Sequence, residues 1–140
     1  MKKQLVMGLL ATVSIVAMSA GAVANDKLHE LSKSNENWVM PGKNYSSQNY
    51  VTSTQINAEN VKDLRAAWSF STGLLHGHEG TPLVVDGVMY VHTSFPNNTF
   101  ALDLKDPGRI IWQHKPKQDP AARSVACCDL VNRGLAYWPG

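Results

Sequence analysis

Cysteine is scarce in this 140-residue chain: there are two, and they are neighbours, Cys127 and Cys128. Ordinary disulfides join Cα atoms about 4.4–6.8 Å apart, whereas neighbouring Cα atoms are about 3.8 Å apart. A bridge between the two would be a small strained ring, and such strain tends to mark functional sites. Two free thiols, or pairing of each cysteine with a partner elsewhere, remain open because connectivity cannot be read from sequence.

The chain also lacks a cluster of basic residues. It has 13 Lys and Arg, and removing Lys2 and Lys3 leaves 11 basic side chains against 11 acidic ones. A nucleic-acid-binding protein needs a basic patch or stripe to neutralise phosphates. The composition therefore argues against nucleic acid as a partner.

Long hydrophobic runs are absent except at the N-terminus. Residues 5–20 are almost entirely apolar, follow two lysines, and lead to Ala-Val-Ala at 22–24. This order is typical of a secretory signal peptide, so we expect residues 1–24 to be removed by cleavage after Ala24. A membrane anchor is the alternative, but no basic stop-transfer flank follows. Export would place the remainder in an oxidising compartment, where a disulfide can persist.

Residues 25–65 are predicted to be an N-terminal lead-in of short helices and loops. Residues 26–32 predict two helical turns capped by Asn25, and residues 57–64 predict a second short helix. Trp38 stands in polar surroundings, and we expect it to pack this lead-in onto a larger body.

From residue 66 onwards the hydrophobic period changes to that of β-strands. Short apolar runs predict strands, and Asp86-Gly87 between two of them is a strong hairpin signal. The predicted strands are 67–71, 83–85, 88–91, 99–102 and 110–113, with the opening of another at 134–138. Short meandering strands indicate an antiparallel all-β architecture, either a sandwich or a propeller blade.

One motif favours the propeller. Ala101-x-Asp103, then Gly108 and Trp112, resembles the tryptophan-docking motif of quinoprotein propellers, although one additional residue requires a longer turn. The alternative is that Trp112 is an ordinary core aromatic. A blade buries its faces only by stacking on neighbouring blades, so we expect this chain to be the N-terminal piece of a larger protein.

Five stretches together resemble the large (alpha) subunit of the pyrroloquinoline quinone (PQQ)-dependent methanol dehydrogenases, in the quinoprotein alcohol dehydrogenase family. They are residues 38–42, 67–73, 77–80, 94–98 and 126–134. The resemblance implies an all-β fold, an eight-bladed β-propeller of which residues 66–140 are the first part.

The resemblance also assigns cofactor-binding residues. It implies that Cys127 and Cys128 form a vicinal disulfide against one face of PQQ, that Glu79 hydrogen-bonds the cofactor, and that Arg133 pairs with a cofactor carboxylate. Polarisable sulfur against a flat ring, and a planar guanidinium against a carboxylate, are sensible contacts. Gly80, close to Glu79, would let the backbone approach a ligand. Taken alone, a loop glutamate and a surface arginine are ordinary solvated residues.

The implied function is periplasmic oxidation of methanol or another primary alcohol to the aldehyde. Hydride passes to PQQ, and electrons then pass to a cytochrome c. The expected partners include a small beta subunit in an alpha2-beta2 heterotetramer. The metal is expected to be calcium or a lanthanide, with its ligands and the general base beyond residue 140, so no catalytic or metal residue is assigned here and the isolated chain should be inactive. A non-enzymatic propeller scaffold and a dehydrogenase for longer alcohols are the alternatives.

The histidines do not predict a further metal site. His76 and His78 would share a strand face, and His92 and His114 lie elsewhere. No cysteine or carboxylate completes a ligand set at the usual spacing.

Overall fold

The computed structural model describes residues 25–140, so the predicted signal peptide lies outside the described residues. The elements are α1 (Asp26–Lys33), β1 (Leu83–Val85), β2 (Val88–His92), β3 (Thr99–Asp103), β4 (Ile110–His114) and α2 (Ala122–Val125), with single 3-10 turns at Val61–Asp63 and Cys128–Leu130. Among these elements, no helix has both the length and the apolar character needed to cross a membrane.

The four strands form one antiparallel meander in the order β1-β2-β3-β4. The turn between β1 and β2 places Asp86 at φ 49° and Gly87 at φ 80°. Two consecutive left-handed residues make the tight hairpin turn that Asp-Gly favours. The predicted hairpin is therefore confirmed, with Val85 paired to Val88.

The pairing of β3 with β4 explains how the unusual turn of the tryptophan motif is accommodated. Ala101 pairs with Trp112, but Leu102 pairs with Ile110, so the register shifts by one residue. Such a bulge bends the strand and absorbs an additional residue. Trp112 is 45% exposed and its ring lies 6.0 Å from that of Tyr90, so it lies on the sheet surface and not in the core.

The aspartate of the same motif holds the turn after β3. The Asp103 Oδ1 accepts a hydrogen bond from the Lys105 backbone N–H at 2.8 Å, and the other oxygen pairs with Arg109. The Lys105 hydrogen bond and, after it, the Arg109 guanidinium lower the pKa of Asp103. This carboxylate therefore has a structural role.

The lead-in packs against β1, as predicted for Trp38. The Asn25 side chain accepts from the Leu28 N–H at 2.9 Å and caps α1, which confirms the first predicted helix. Trp38 and Val84 exchange two backbone hydrogen bonds of 2.7 and 2.9 Å. The core beneath is small and formed by Val39, Leu83, Val85, Phe100, Ala101 and Leu102.

Three predicted elements are wrong. Residues 67–71 and 134–138 are not strands, and residues 57–64 contain only the 3-10 turn Val61–Asp63. Alternation predicts a strand, but a strand forms only where a neighbour pairs with its backbone. At 134–138 the pairing is limited to one bridge, from Thr81 to Gly134.

Candidate cofactor site at the Cys-Cys turn

Two backbone contacts bring separate loops together at one end of the sheet. Thr81, just before β1, forms a parallel bridge with Gly134. The Phe95 N–H, in the loop after β2, donates to the Leu130 carbonyl at 3.1 Å. The loops carrying the predicted site residues therefore meet although they lie far apart in sequence.

Glu79 and Arg133, which the resemblance pairs with a cofactor, form an ion pair. The Arg133 guanidinium nitrogen lies 3.5 Å from a Glu79 carboxylate oxygen. The Arg133 side chain is 78% exposed and that of Glu79 is 49% exposed, so the guanidinium keeps N–H donors that face solvent. An exposed ion pair contributes little to stability, which makes these side chains available for a ligand.

The Cys-Cys turn has a constrained backbone. Cys128 has φ 62° and Leu130 has φ 58°, both in the left-handed region. Residues other than glycine rarely adopt this conformation, and it recurs at functional sites. The single 3-10 turn Cys128–Leu130 leaves both cysteines exposed.

The structure differs from the predicted disulfide: Cys127 and Cys128 are both free thiols. Neighbouring cysteines cannot reach disulfide geometry from ordinary backbone without local rearrangement. The bridge therefore stays a prediction.

The charges of the ion pair act on the Cys128 thiol. The hydrogen bond with the Cys127 side chain, followed by charge repulsion from Cys127, raises the pKa of the Cys128 thiol. The Arg133 charge opposes this shift and the Glu79 charge adds to it. Arg133 and Glu79 therefore both influence the Cys128 thiol, and Cys127 adjoins it in the chain.

We expect alanine at Cys127 to make Cys128 more reactive in the reduced protein. The substitution removes the main cause of the raised pKa, so a larger thiolate fraction is present at a given pH, and the thiolate is the nucleophile. The rate of Cys128 alkylation by iodoacetamide, followed from pH 7 upwards by peptide mass spectrometry, should rise at lower pH in Cys127→Ala. Val125→Ala, at the exposed end of α2 two residues before Cys127, is the control. Equal profiles in all three proteins would contradict the coupling.

A cavity of about 390 Å³ is lined in part by the turn and its flanking residues. It is lined by Phe95, Asn97, Gln118, Ala122, Ala126, Cys127, Leu130, Val131 and Asn132. The Asn97 amide donates to Gln118 at 3.2 Å within this lining. Sequence reasoning missed Asn97, Gln118 and Asn132, because polar residues in loops carry no periodic signal.

The structure gives Gly80 a packing contact that the sequence did not predict, and its approach to a ligand stays a prediction. A Cβ at this position would overlap the Cε1 and Nε2 atoms of the His92 ring. Its small size therefore allows close packing against a buried histidine. Within residues 25–140, no group of three or more His, Cys, Asp or Glu side chains is arranged to hold a metal ion.

A four-stranded antiparallel meander with a tryptophan on its last strand is typical of one blade of a β-propeller. Residues 38–140 match the family model "PQQ: Glucose/ethanol/alcohol dehydrogenase, beta-propeller domain". This chain belongs to that family of PQQ-dependent dehydrogenases and forms part of their β-propeller domain.

Methanol dehydrogenase [cytochrome c] subunit 1 of Methylobacterium organophilum is 77% identical over 124 residues, 89% of this chain and 20% of that protein. The protein of the same name from Paracoccus denitrificans is 68% identical over 125 residues, again 89% and 20%. A solved europium-containing methanol dehydrogenase matches with a TM-score of 0.79 at 56% identity, over 83% of this chain and 20% of that one. The chain thus spans about a fifth of the length of these relatives.

Proposed function

We propose that the full-length protein oxidises methanol, or another small primary alcohol, to the aldehyde with PQQ as cofactor and a cytochrome c as electron acceptor. Membership of the PQQ dehydrogenase family supports the cofactor. The names of the two relatives, methanol dehydrogenase [cytochrome c], support the substrate and the acceptor.

The observation that carries this proposal is the placement of Arg133 beside Glu79, with Cys128 in their field. PQQ is a planar quinone that bears carboxylates, and a guanidinium fork binds a carboxylate through parallel charge-assisted hydrogen bonds. A glutamate close to an acidic cofactor requires an intervening cation or a shared proton. Arg133 is that cation, so the donor set fits the group.

The four candidate site residues have distinct tasks in the proposed function. Arg133 holds a cofactor carboxylate, and Glu79 orients Arg133 and accepts a hydrogen bond. Cys127 and Cys128, joined as a disulfide in the exported protein, provide a flat polarisable surface for one face of the ring. When bound, PQQ supplies the two-electron acceptor that protein side chains lack.

The remaining parts of the proposal concern regions outside residues 25–140. Calcium or a lanthanide binds through ligands beyond residue 140, and the europium in the solved relative supports a metal of this kind. The signal peptide directs the protein to the periplasm and is cleaved after Ala24. "Subunit 1" in the relatives' names supports a second subunit, and we propose an alpha2-beta2 heterotetramer.

We expect Arg133→Gln to weaken PQQ binding by roughly 10- to 100-fold, because hydrogen bonds to charged groups contribute about 1.5–3 kcal/mol. The dissociation constant would be measured by titrating the full-length apo-protein with PQQ and following its near-ultraviolet absorption. Arg65→Gln is the matched control, since Arg65 is exposed and donates only to the adjacent Leu64 carbonyl among its described hydrogen bonds. A full-length protein that binds no PQQ would instead favour the scaffold alternative.

A further inference from the structure

His92 is a buried residue that contacts both loops of the candidate site. It ends β2 and is 4% exposed. Its Nε2 lies 2.8 Å from the Asn132 carbonyl oxygen. A carbonyl only accepts hydrogen bonds, so Nε2 carries the hydrogen and donates it.

The same edge of the ring supports the opposite loop. The Gly80 backbone approaches Cε1 and Nε2 so closely that no Cβ fits between them. Gly80 follows Glu79 in the chain, and Asn132 precedes Arg133. One imidazole therefore touches the neighbours of both members of the ion pair.

We infer that His92 is a positioning residue that sets the separation of Glu79 and Arg133 and thereby their grip on an acidic planar cofactor. His92 acts through the two loops and does not touch the cofactor. Its ring width spaces the Gly80 backbone, and its Nε2–H fixes the Asn132 backbone. The inference rests on the proposed function for the identity of the cofactor, but its structural part concerns only residues of this chain.

Two substitutions separate the hydrogen bond from the packing. In His92→Gln the amide nitrogen can occupy the place of Nε2 and donate to Asn132. In His92→Asn the amide is too short to reach, so the hydrogen bond is lost, and the void is one methylene larger than in His92→Gln, an effect that the melting temperatures of the two variants measure. We expect His92→Asn to weaken PQQ binding by about tenfold, the usual effect of one lost hydrogen bond of about 1.4 kcal/mol, and His92→Gln to remain within about threefold of wild type.

Two further measurements, with one control, test whether His92 acts through Arg133. In the Arg133→Gln background, His92→Asn should have little additional effect on PQQ affinity, because the residue it positions is already gone. Crystal structures of the full-length apo-variants should show a longer Glu79–Arg133 separation in His92→Asn than in His92→Gln. His114→Asn, an exposed histidine on β4, is the control and should change none of these quantities.

Failure of the His92 inference can be distinguished from failure of the proposed function. Absence of PQQ binding by the wild-type protein refutes the proposed function, while the crystallographic separation still decides the role of His92. An unchanged Glu79–Arg133 separation in His92→Asn overturns the inference. So does equal weakening of PQQ binding by Asn and Gln together with equal losses of melting temperature, since that pattern is a general packing defect.

Discussion

Replacing Gly80 with alanine is expected to destabilise the full-length apo-protein by about 2–3 kcal/mol, in the upper part of the usual range for overpacking. The new methyl group would overlap two ring atoms of His92, which is buried and bonded to the Asn132 carbonyl. The ring is rigid, so it can move aside only by breaking that hydrogen bond. We also expect PQQ affinity to fall at least about tenfold, because Glu79 would move with the Gly80 backbone.

Calorimetry of the apo-protein and PQQ titration measure the two effects separately. Gly134→Ala is the matched control, because Gly134 belongs to the same site and an added Cβ would meet only the Pro41 side chain, at an ordinary 3.9 Å. A double-mutant cycle of Gly80→Ala with His92→Ala should give less than the sum of the single effects, since the smaller side chain removes the overlap. Equal melting temperatures for Gly80→Ala and Gly134→Ala would contradict the packing argument.

The parts of the fold that could be predicted are those specified by local chemistry. The Asp86-Gly87 pair adopts two left-handed conformations, and this preference identifies the β1–β2 hairpin without any knowledge of the remaining chain. The Asn25 cap is likewise encoded within three residues. The segment 67–71 shows the opposite case, because its alternation is correct but its pairing depends on residues distant in sequence. Phe70 there meets Phe100 edge to face, with ring centroids 5.2 Å apart, without joining the sheet.

The candidate site likewise has a part that could be identified from the sequence and a part that could not. The resemblance identified Glu79 and Arg133, and the structure brings them together as an ion pair. It could not identify His92 as their common support, because a histidine at the end of a strand has no distinctive local pattern. The contact of His92 with Asn132 spans 40 residues and depends on three loops that meet only in the folded chain.

Replacing both Cys127 and Cys128 with serine is expected to reduce turnover by roughly 3- to 160-fold while leaving stability nearly unchanged. Contacts between sulfur and an aromatic ring contribute about 0.3–1.5 kcal/mol each, so the loss of two amounts to about 0.6–3 kcal/mol. Both side chains are exposed in the structure, and surface substitutions usually change stability by less than about 0.5 kcal/mol. A role in folding and a role in holding the cofactor therefore predict opposite patterns.

The comparison requires turnover with an artificial electron acceptor, the PQQ dissociation constant and the melting temperature, each measured on the full-length protein. Val125→Ser is the matched control, because Val125 is 86% exposed and ends α2, two residues before Cys127. The left-handed backbone of Cys128, at φ 62° where glycine would be favoured, is a strained conformation of the kind that recurs at functional sites, and this supports a functional use for its side chain. Wild-type turnover in the double serine variant would refute that use. Normal turnover in the reduced wild-type protein would show that the free thiols serve as well as the bridge.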